Sequence, residues 1–204
     1  MEYIHEERNV LPKTFCRELI EKFESDSRKR PGKLQGGAMD DTVKKCTDLD
    51  IERITGWGVE SKRLDDAFYT AFVDYLINLK LNIFGEEKAY IVNEIFPGKN
   101  VVRSNFQIGR YGVGGYFKWH VDFTRTEERI CNFIIYLNDH EACTEFLNGK
   151  KIKPEAGKIL IFPTTWVHAH CGQPVEKGNK YIITGFIFYK KEMTQSLPFT
   201  ITYD

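Results

Sequence analysis

The chain has 204 residues, 42% hydrophobic and 14% aromatic, which is enough apolar side chain to fill the core of one globular domain spanning 1–204. Lys plus Arg and Asp plus Glu are 29 each; with zero formal charge and no long run of one sign, neither nucleic acid nor an anionic membrane surface is an expected partner. No segment approaches the roughly 18 apolar residues of a membrane span, and the acidic and polar opening MEYIHEERN is unlike a secretory signal, so a cytoplasmic setting is expected.

A short strand is expected before Pro12, which stands near a helix start. Phe15, Cys16, Leu19, Ile20 and Phe23 share one face of a 3.6-residue period and predict an amphipathic helix over 13–25. Residues 26–50 are rich in Gly, Lys, Arg, Asp and Ser with little periodicity; they read as a long polar loop with at most one short strand, mobile or covering a site. Leu64, Ala67, Phe68, Ala71, Phe72, Tyr75, Leu76 and Leu79 keep the 3–4 spacing without a miss and predict a second helix over about 62–82.

From about residue 101 the chain changes to short segments rich in Val, Ile, Phe, Tyr and Thr. Turn chemistry separates them at Gly112–Gly115, Asn148-Gly149, Ala156-Gly157 and Gly178-Asn179, the pattern of an antiparallel β-sandwich or barrel. Asn148-Gly149 is the strongest hairpin signal, because a type I′ turn needs two residues that tolerate positive φ. The expected class is therefore α+β, mainly β, with helical support over about 1–100 and a β-core over about 101–190. The five cysteines form no CxxC pair and are odd in number, which fits free, buried thiols rather than a disulfide scaffold or zinc site.

In a strand from Tyr116 to Phe123, side chains alternate faces, so His120 and Asp122 point one way and Trp119, Val121 and Phe123 the other. An imidazole and a carboxylate on one face make two ligands of a metal site. His168 and His170, in Trp166-Val167-His168-Ala169-His170, are the candidates for a third from a distant strand. Two histidines and one carboxylate leave three positions open on an octahedral ion, the facial-triad arrangement of non-haem iron sites.

The stretches Arg110-Tyr111-Gly112-Val113-Gly114-Gly115-Tyr116-Phe117-Lys118-Trp119-His120-Val121-Asp122 and His170-Cys171-Gly172-Gln173-Pro174-Val175-Glu176-Lys177-Gly178-Asn179-Lys180-Tyr181 resemble the two signature segments of prolyl 4-hydroxylase-type Fe(II)/2-oxoglutarate-dependent oxygenases. That pattern is HxD, then a distal histidine followed by a glycine, a Pro-Val and a glycine, with a basic residue ten positions on. The resemblance covers about residues 101–190; the N-terminal half is similar only in layout. It implies a double-stranded β-helix, or jelly-roll, core with supporting N-terminal helices. It implies that His120, Asp122 and His170 hold Fe(II), the ten-residue interval to Lys180 selecting His170 over His168. Lys180 is then the anchor for the distal carboxylate of 2-oxoglutarate, with Tyr136 beside it and Tyr111 reaching toward the co-substrate or the iron. Ascorbate is a further candidate cofactor.

The residues support Lys180 independently. His170 and Lys180 flank a Pro- and Gly-containing turn and so fall on consecutive strands, and Lys180 shares strand parity with Ile182 and Thr184. An ammonium buried there is costly unless an anion meets it.

The activity implied is hydroxylation of a C–H bond, with a peptidyl proline the favoured substrate and another amino-acid residue or small metabolite the alternative. A jelly-roll binding module without catalysis, or a β-barrel enzyme using another divalent metal, stand as readings from other classes. Ala142-Cys143-Thr144-Glu145 departs from the Gly-Gly-x-Thr that many members carry after the third core strand, so that turn is expected to differ. Trp57, Gln107, Arg110, Trp119 and the loop 26–50 are candidates to shape the substrate cleft, and His5 and His140 read as surface histidines.

Overall fold

A computed structural model of the chain describes residues 3–34, 37–123 and 128–190. The chain opens with strand β1 (His5–Glu7) and helix α1 (Lys13–Ser25). Pro12, at φ −59°, leads into the helix, and Phe15, Cys16, Leu19 and Phe23 are its buried face, as the period requires.

The polar stretch behind α1 is more ordered than its composition suggests. It contains β2 (Arg30–Pro31), β3 (Lys44–Lys45) and β4 (Thr47–Asp50), while Gln35 and Gly36 lie outside the described residues. These strands carry no apolar alternation; they exist because the β-core offers edges to pair with. Helix α2 (Gly58–Asn78) starts four residues before the expected 62, and the chain continues as a wider π-type turn, Leu79–Phe84, ended by Gly85 at φ 75°. A short α3 (Tyr90–Ile95) leads into the β-core.

The core strands are β5 (Val101–Arg103), β6 (Gln107–Tyr111), β7 (Tyr116–His120), β8 (Arg129–Tyr136), β9 (Thr144–Phe146), β10 (Lys151–Ile152), β11 (Ile159–Pro163), β12 (His170–Gly172) and β13 (Lys180–Tyr189). One sheet runs β1-β11-β8-β13-β6-β4-β2, with β5 also on β13; the other runs β10-β9-β12-β7-β3. From β6 onward the chain passes back and forth between the two antiparallel sheets, which is the winding of a jelly-roll. The Asn148-Gly149 hairpin joins β9 to β10, but only Gly149 takes a positive φ, 87°, so the turn is not the expected type I′; the Gly149 amide donates to the Phe146 carbonyl instead.

Two apolar clusters follow from this arrangement. Along β8, Phe133 and Ile135 face the helices and join a cluster with Phe15, Leu19, Leu64 and Phe68, the Phe68 and Phe133 rings lying 4.5 Å apart. Ile134 and Tyr136 face the other way and join Phe146, Phe162 and Ile182 between the sheets. The helices thus cover the outer face of the larger sheet, and its inner face is left to line a cavity. Each large side chain buried in this way contributes roughly 1.5–3 kcal/mol.

All five cysteines are free, Cys16, Cys131 and Cys171 being buried. Among the described residues no helix is long and apolar enough to cross a membrane. His5 and His140 are not simple surface residues. The His5 side chain is 15% exposed beside the Tyr75 ring, because β1 lies against β11. His140 ties two loops together, its Nε2 donating to the Lys177 carbonyl at 3.0 Å while Nδ1 accepts from the Ala142 amide at 2.9 Å.

Gly157 joins α1's approach to the β-core. Its φ is +84°, its carbonyl accepts from the Val10 amide, and a Cβ there would lie 2.1 Å from the Leu11 carbonyl oxygen. Gly157→Ala is therefore expected to lower unfolding free energy by about 2 kcal/mol or more, read as a drop in the urea midpoint.

Candidate functional site

Strand β7 ends at His120, so Asp122 sits just beyond the strand rather than inside it, yet the alternation of faces persists. Trp119, Val121 and Phe123 are exposed, while Asp122 is only 9% exposed. β12 pairs antiparallel with β7 and sets His170 directly opposite His120. The two rings lie 4.3 Å apart, and Asp122 reaches both: Oδ1 is 3.7 Å from His120 Nε2 and Oδ2 is 3.7 Å from His170 Nε2. One ligand atom from each of the three residues lies within 4.8 Å of the others.

The hydrogen bonds decide which ring atoms face inward. His120 Nδ1 donates to the Lys118 carbonyl at 2.7 Å and His170 Nδ1 to the His168 carbonyl at 3.1 Å, so both Nε2 atoms carry lone pairs. Burial, and then His170, push the His120 pKa down to about 4, which keeps that imidazole neutral at pH 7. Phe117 stacks on His120 at 3.6 Å, and Phe162 meets His170 edge-on at 4.9 Å, so neither ring is free to swing. Two lone pairs and a carboxylate pointing at one another repel unless a cation lies between them. This donor set fits a divalent ion with open positions.

His168, the alternative third histidine, lies in a short turn before β12, half-buried and hydrogen-bonded to Thr165 at 2.9 Å. It contributes its backbone carbonyl, which orients His170, and its ring stays outside the cluster.

Lys180 opens β13 opposite Tyr111 and is 2% exposed. Its Nζ donates to the Ala142 carbonyl at 3.2 Å and lies 5.2 Å from the Tyr111 ring centre. No carboxylate among the described residues pairs with it, and burial pushes its pKa down to about 8. An anion is what this ammonium lacks. Tyr111 is itself nearly buried, and burial, then Cys46 and Asp48, hold its phenol well above the usual range, so it stays a neutral donor. Tyr136 is fully buried and donates to Thr144 Oγ1 at 2.8 Å.

A cavity of about 390 Å³ takes in His120, Asp122, His170, Lys180, Tyr111 and Thr144. Tyr136 is not on its wall and meets it through Thr144. Gln107 lines the cavity; Trp57, Arg110 and Trp119 do not. Trp57 is buried under the helices and donates to Asp26 at 2.9 Å, Arg110 pairs with Glu24 at 2.9 Å, and Trp119 points to the outer face of the smaller sheet.

Sequence reasoning missed Lys44, Asp48 and Asn132. Lys44 and Asp48 are each 8% exposed and pair at 2.8 Å; Gln107 donates to Asp48 at 2.5 Å, and Lys44 lies 5.4 Å from the Phe117 ring centre. Nothing local distinguishes Lys44 and Asp48 from the rest of a charged loop, whereas Asn132 interrupts the apolar run of β8. Pairing of β3 with β7 brings Lys44 to the cavity wall, pairing of β4 with β6 sets Asp48 behind it against Lys44 and Gln107, and Asn132 reaches the wall from β8.

Residues 106–188 match the family model of the 2OG-Fe(II) oxygenase superfamily. A PKHD-type hydroxylase of Synechococcus sp. (strain CC9605) is 26% identical over 106 residues, 46% of this chain and 47% of the relative; the match spans about half that relative's length. Among solved structures, a prolyl hydroxylase of Trichoplax adhaerens, in complex with a hypoxia inducible factor oxygen degradation domain peptide fragment, superposes with a TM-score of 0.70 at 16% identity, covering 91% of this chain and 83% of that one. The viral collagen prolyl hydroxylase of Paramecium Bursaria Chlorella virus-1, in its 2OG complex, gives 0.62 at 18% identity over 93% and 97% of the two chains. A Pseudomonas putida prolyl-4-hydroxylase gives 0.60 at 15% identity over 93% and 94%. Residues 106–188 are thus similar to the 2OG-Fe(II) oxygenase superfamily, which implies Fe(II) and 2-oxoglutarate, and the chain shares its fold with these prolyl hydroxylase structures.

The unpaired ammonium has a measurable consequence. With a folded pKa near 8 against an ordinary 10.5, Lys180 costs stability fully below pH 8, and the cost disappears as pH rises toward 10.5. Without added dicarboxylate, Lys180→Met is expected to be more stable than the parent at pH 7 by about 1–3 kcal/mol. The difference should shrink toward zero near pH 10.5, as followed by urea denaturation at both values.

Proposed function

We propose that this chain is an Fe(II)- and 2-oxoglutarate-dependent dioxygenase that hydroxylates an unactivated C–H bond, with a peptidyl proline as its substrate. The observation that carries the reading is the pairing, in one cavity, of two imidazole lone pairs and a carboxylate at 3.7 Å with a buried ammonium that meets no anion among the described residues. The donor set fits Fe(II), and the ammonium fits the far end of a dicarboxylic acid.

In this reading His120, Asp122 and His170 are the metal ligands and the catalytic centre. Bound Fe(II) with 2-oxoglutarate supplies the oxidative decarboxylation to succinate and carbon dioxide that drives hydroxylation. Lys180 binds the distal carboxylate, and Tyr111 donates a phenolic hydrogen to the co-substrate from the facing strand. Tyr136 acts at one remove: its hydroxyl donates to Thr144 Oγ1 and leaves the threonine O–H to donate to the same carboxylate. Phe117, Phe146 and Phe162 keep the imidazoles dry and fixed in direction. Ascorbate, as an external reductant, belongs to the same proposal. The peptide substrate is supported by the prolyl hydroxylase folds and by the peptide bound to the Trichoplax adhaerens protein.

Anaerobic addition of Fe(II) and 2-oxoglutarate to the wild type is expected to raise the weak visible charge-transfer band of the chelate. His120→Ala or Asp122→Ala should abolish both the band and succinate production; near-normal turnover in either variant would refute the metal assignment. Lys180→Ala should raise the KM for 2-oxoglutarate about 30-fold or more, the loss of a buried charge-assisted bond, and an unchanged KM removes its role. Succinate release measured across proline-containing peptides, lysine-containing peptides and free amino acids tests the substrate.

A further inference from the structure

Asn132 lies on β8, inside the larger sheet, in the run Ile130-Cys131-Asn132-Phe133-Ile134-Ile135. Its cross-strand partners are Phe162 on β11 and Phe186 on β13. Directly opposed residues share a face, so a primary amide, 5% exposed, sits between two phenylalanines. Asparagine is depleted from strands, and packing alone would favour an aliphatic residue here. The amide Nδ2 donates to Asp122 Oδ2, the oxygen that stands 3.7 Å from His170 Nε2. The amide Oδ1 is buried with no hydrogen-bond partner among the described residues. A buried acceptor left unmatched destabilises a fold, so the amide is a poor choice for stability. Among the described residues, the one hydrogen bond its side chain makes is the N–H to Asp122.

We propose that Asn132 is a positioning residue for Asp122. Its N–H occupies Oδ2 and leaves Oδ1 to ligate, which makes the carboxylate a one-oxygen ligand instead of a two-oxygen clamp. A carboxylate free to turn would close over the cation with both oxygens and take one of the three positions that two histidines and a single oxygen leave open. The role rests on the metal reading proposed above. It adds an assignment which neither HxD spacing nor the distal histidine contains.

The test uses the metal-free full chain, with Mn(II) as the probe and unbound Mn(II) followed by electron paramagnetic resonance. Asn132→Leu keeps the approximate volume and removes both the donor and the orphaned acceptor. Its metal-free urea midpoint is expected to equal or exceed that of the wild type, while its Mn(II) affinity falls about 10-fold or more, the usual size of such an outer hydrogen bond. Asn132→Val, whose branched side chain suits a strand, serves by the same two criteria if the leucine variant does not fold. Mn(II) affinity within threefold of wild type overturns the proposal, as does a loss of affinity matched by a lower metal-free midpoint. A wild-type chain that takes up no Mn(II) overturns the metal reading itself, so the two failures are distinct.

Discussion

The antiparallel pairing of β7 with β12, which sets His120 opposite His170, is the constraint on which the rest depends. A one-residue slip in that register would turn one imidazole to the outer face, since side chains alternate with period two. The register is held from both sides. β3 pairs with β7 on one flank and β9 pairs with β12 on the other, while Phe117, Phe146 and Phe162 fill the space that a slipped ring would need. Asp122 can leave the strand and still reach both rings, because the two residues beyond His120 keep the pleat's direction.

The interior this creates is unusual for a protein core, because it stores polar groups between apolar walls. Among the described residues, Lys180 lies deep without an anion, Lys44 and Asp48 form a buried pair, and Asn132 carries an orphaned carbonyl. Each is costly by the rules that govern the helix-facing cluster, where Phe133, Ile135, Phe68 and Leu64 pack with no such burden. Both sets belong to the same sheet. One face of β8 is given to stability and the other to a cavity, and the helices let the second be expensive.

That division also explains the N-terminal half. α1 and α2 bury the outer face of the larger sheet, and the segment between them returns to the β-core as three short strands. Lys44, at the end of this return, lies over the ring that stacks on His120. The polar stretch is therefore joined to the cavity through hydrogen bonds and a ring, although its composition is that of an ordinary surface loop.

By itself the sequence determined what is periodic or local. The helix at 13–25 follows from one apolar face, the β9–β10 hairpin from Asn148-Gly149, and the shared face of His120 and Asp122 from strand alternation. Selection of His170 over His168 came from resemblance, since both histidines share parity; in the structure the backbone leaves the extended form at His168 and rejoins it at His170, which no parity rule foresees. Only the tertiary structure decided the partners of residues distant in the chain. Lys44 at the cavity wall with Asp48 behind it, Tyr136 turned to Thr144, Trp57 drawn under the helices and Asn132 aimed at Asp122 all depend on which strands pair and in what register. The identities of Lys44 and Asp48 carry no local signal, because a charged loop residue and a buried one have the same chemistry until a neighbouring strand fixes the environment.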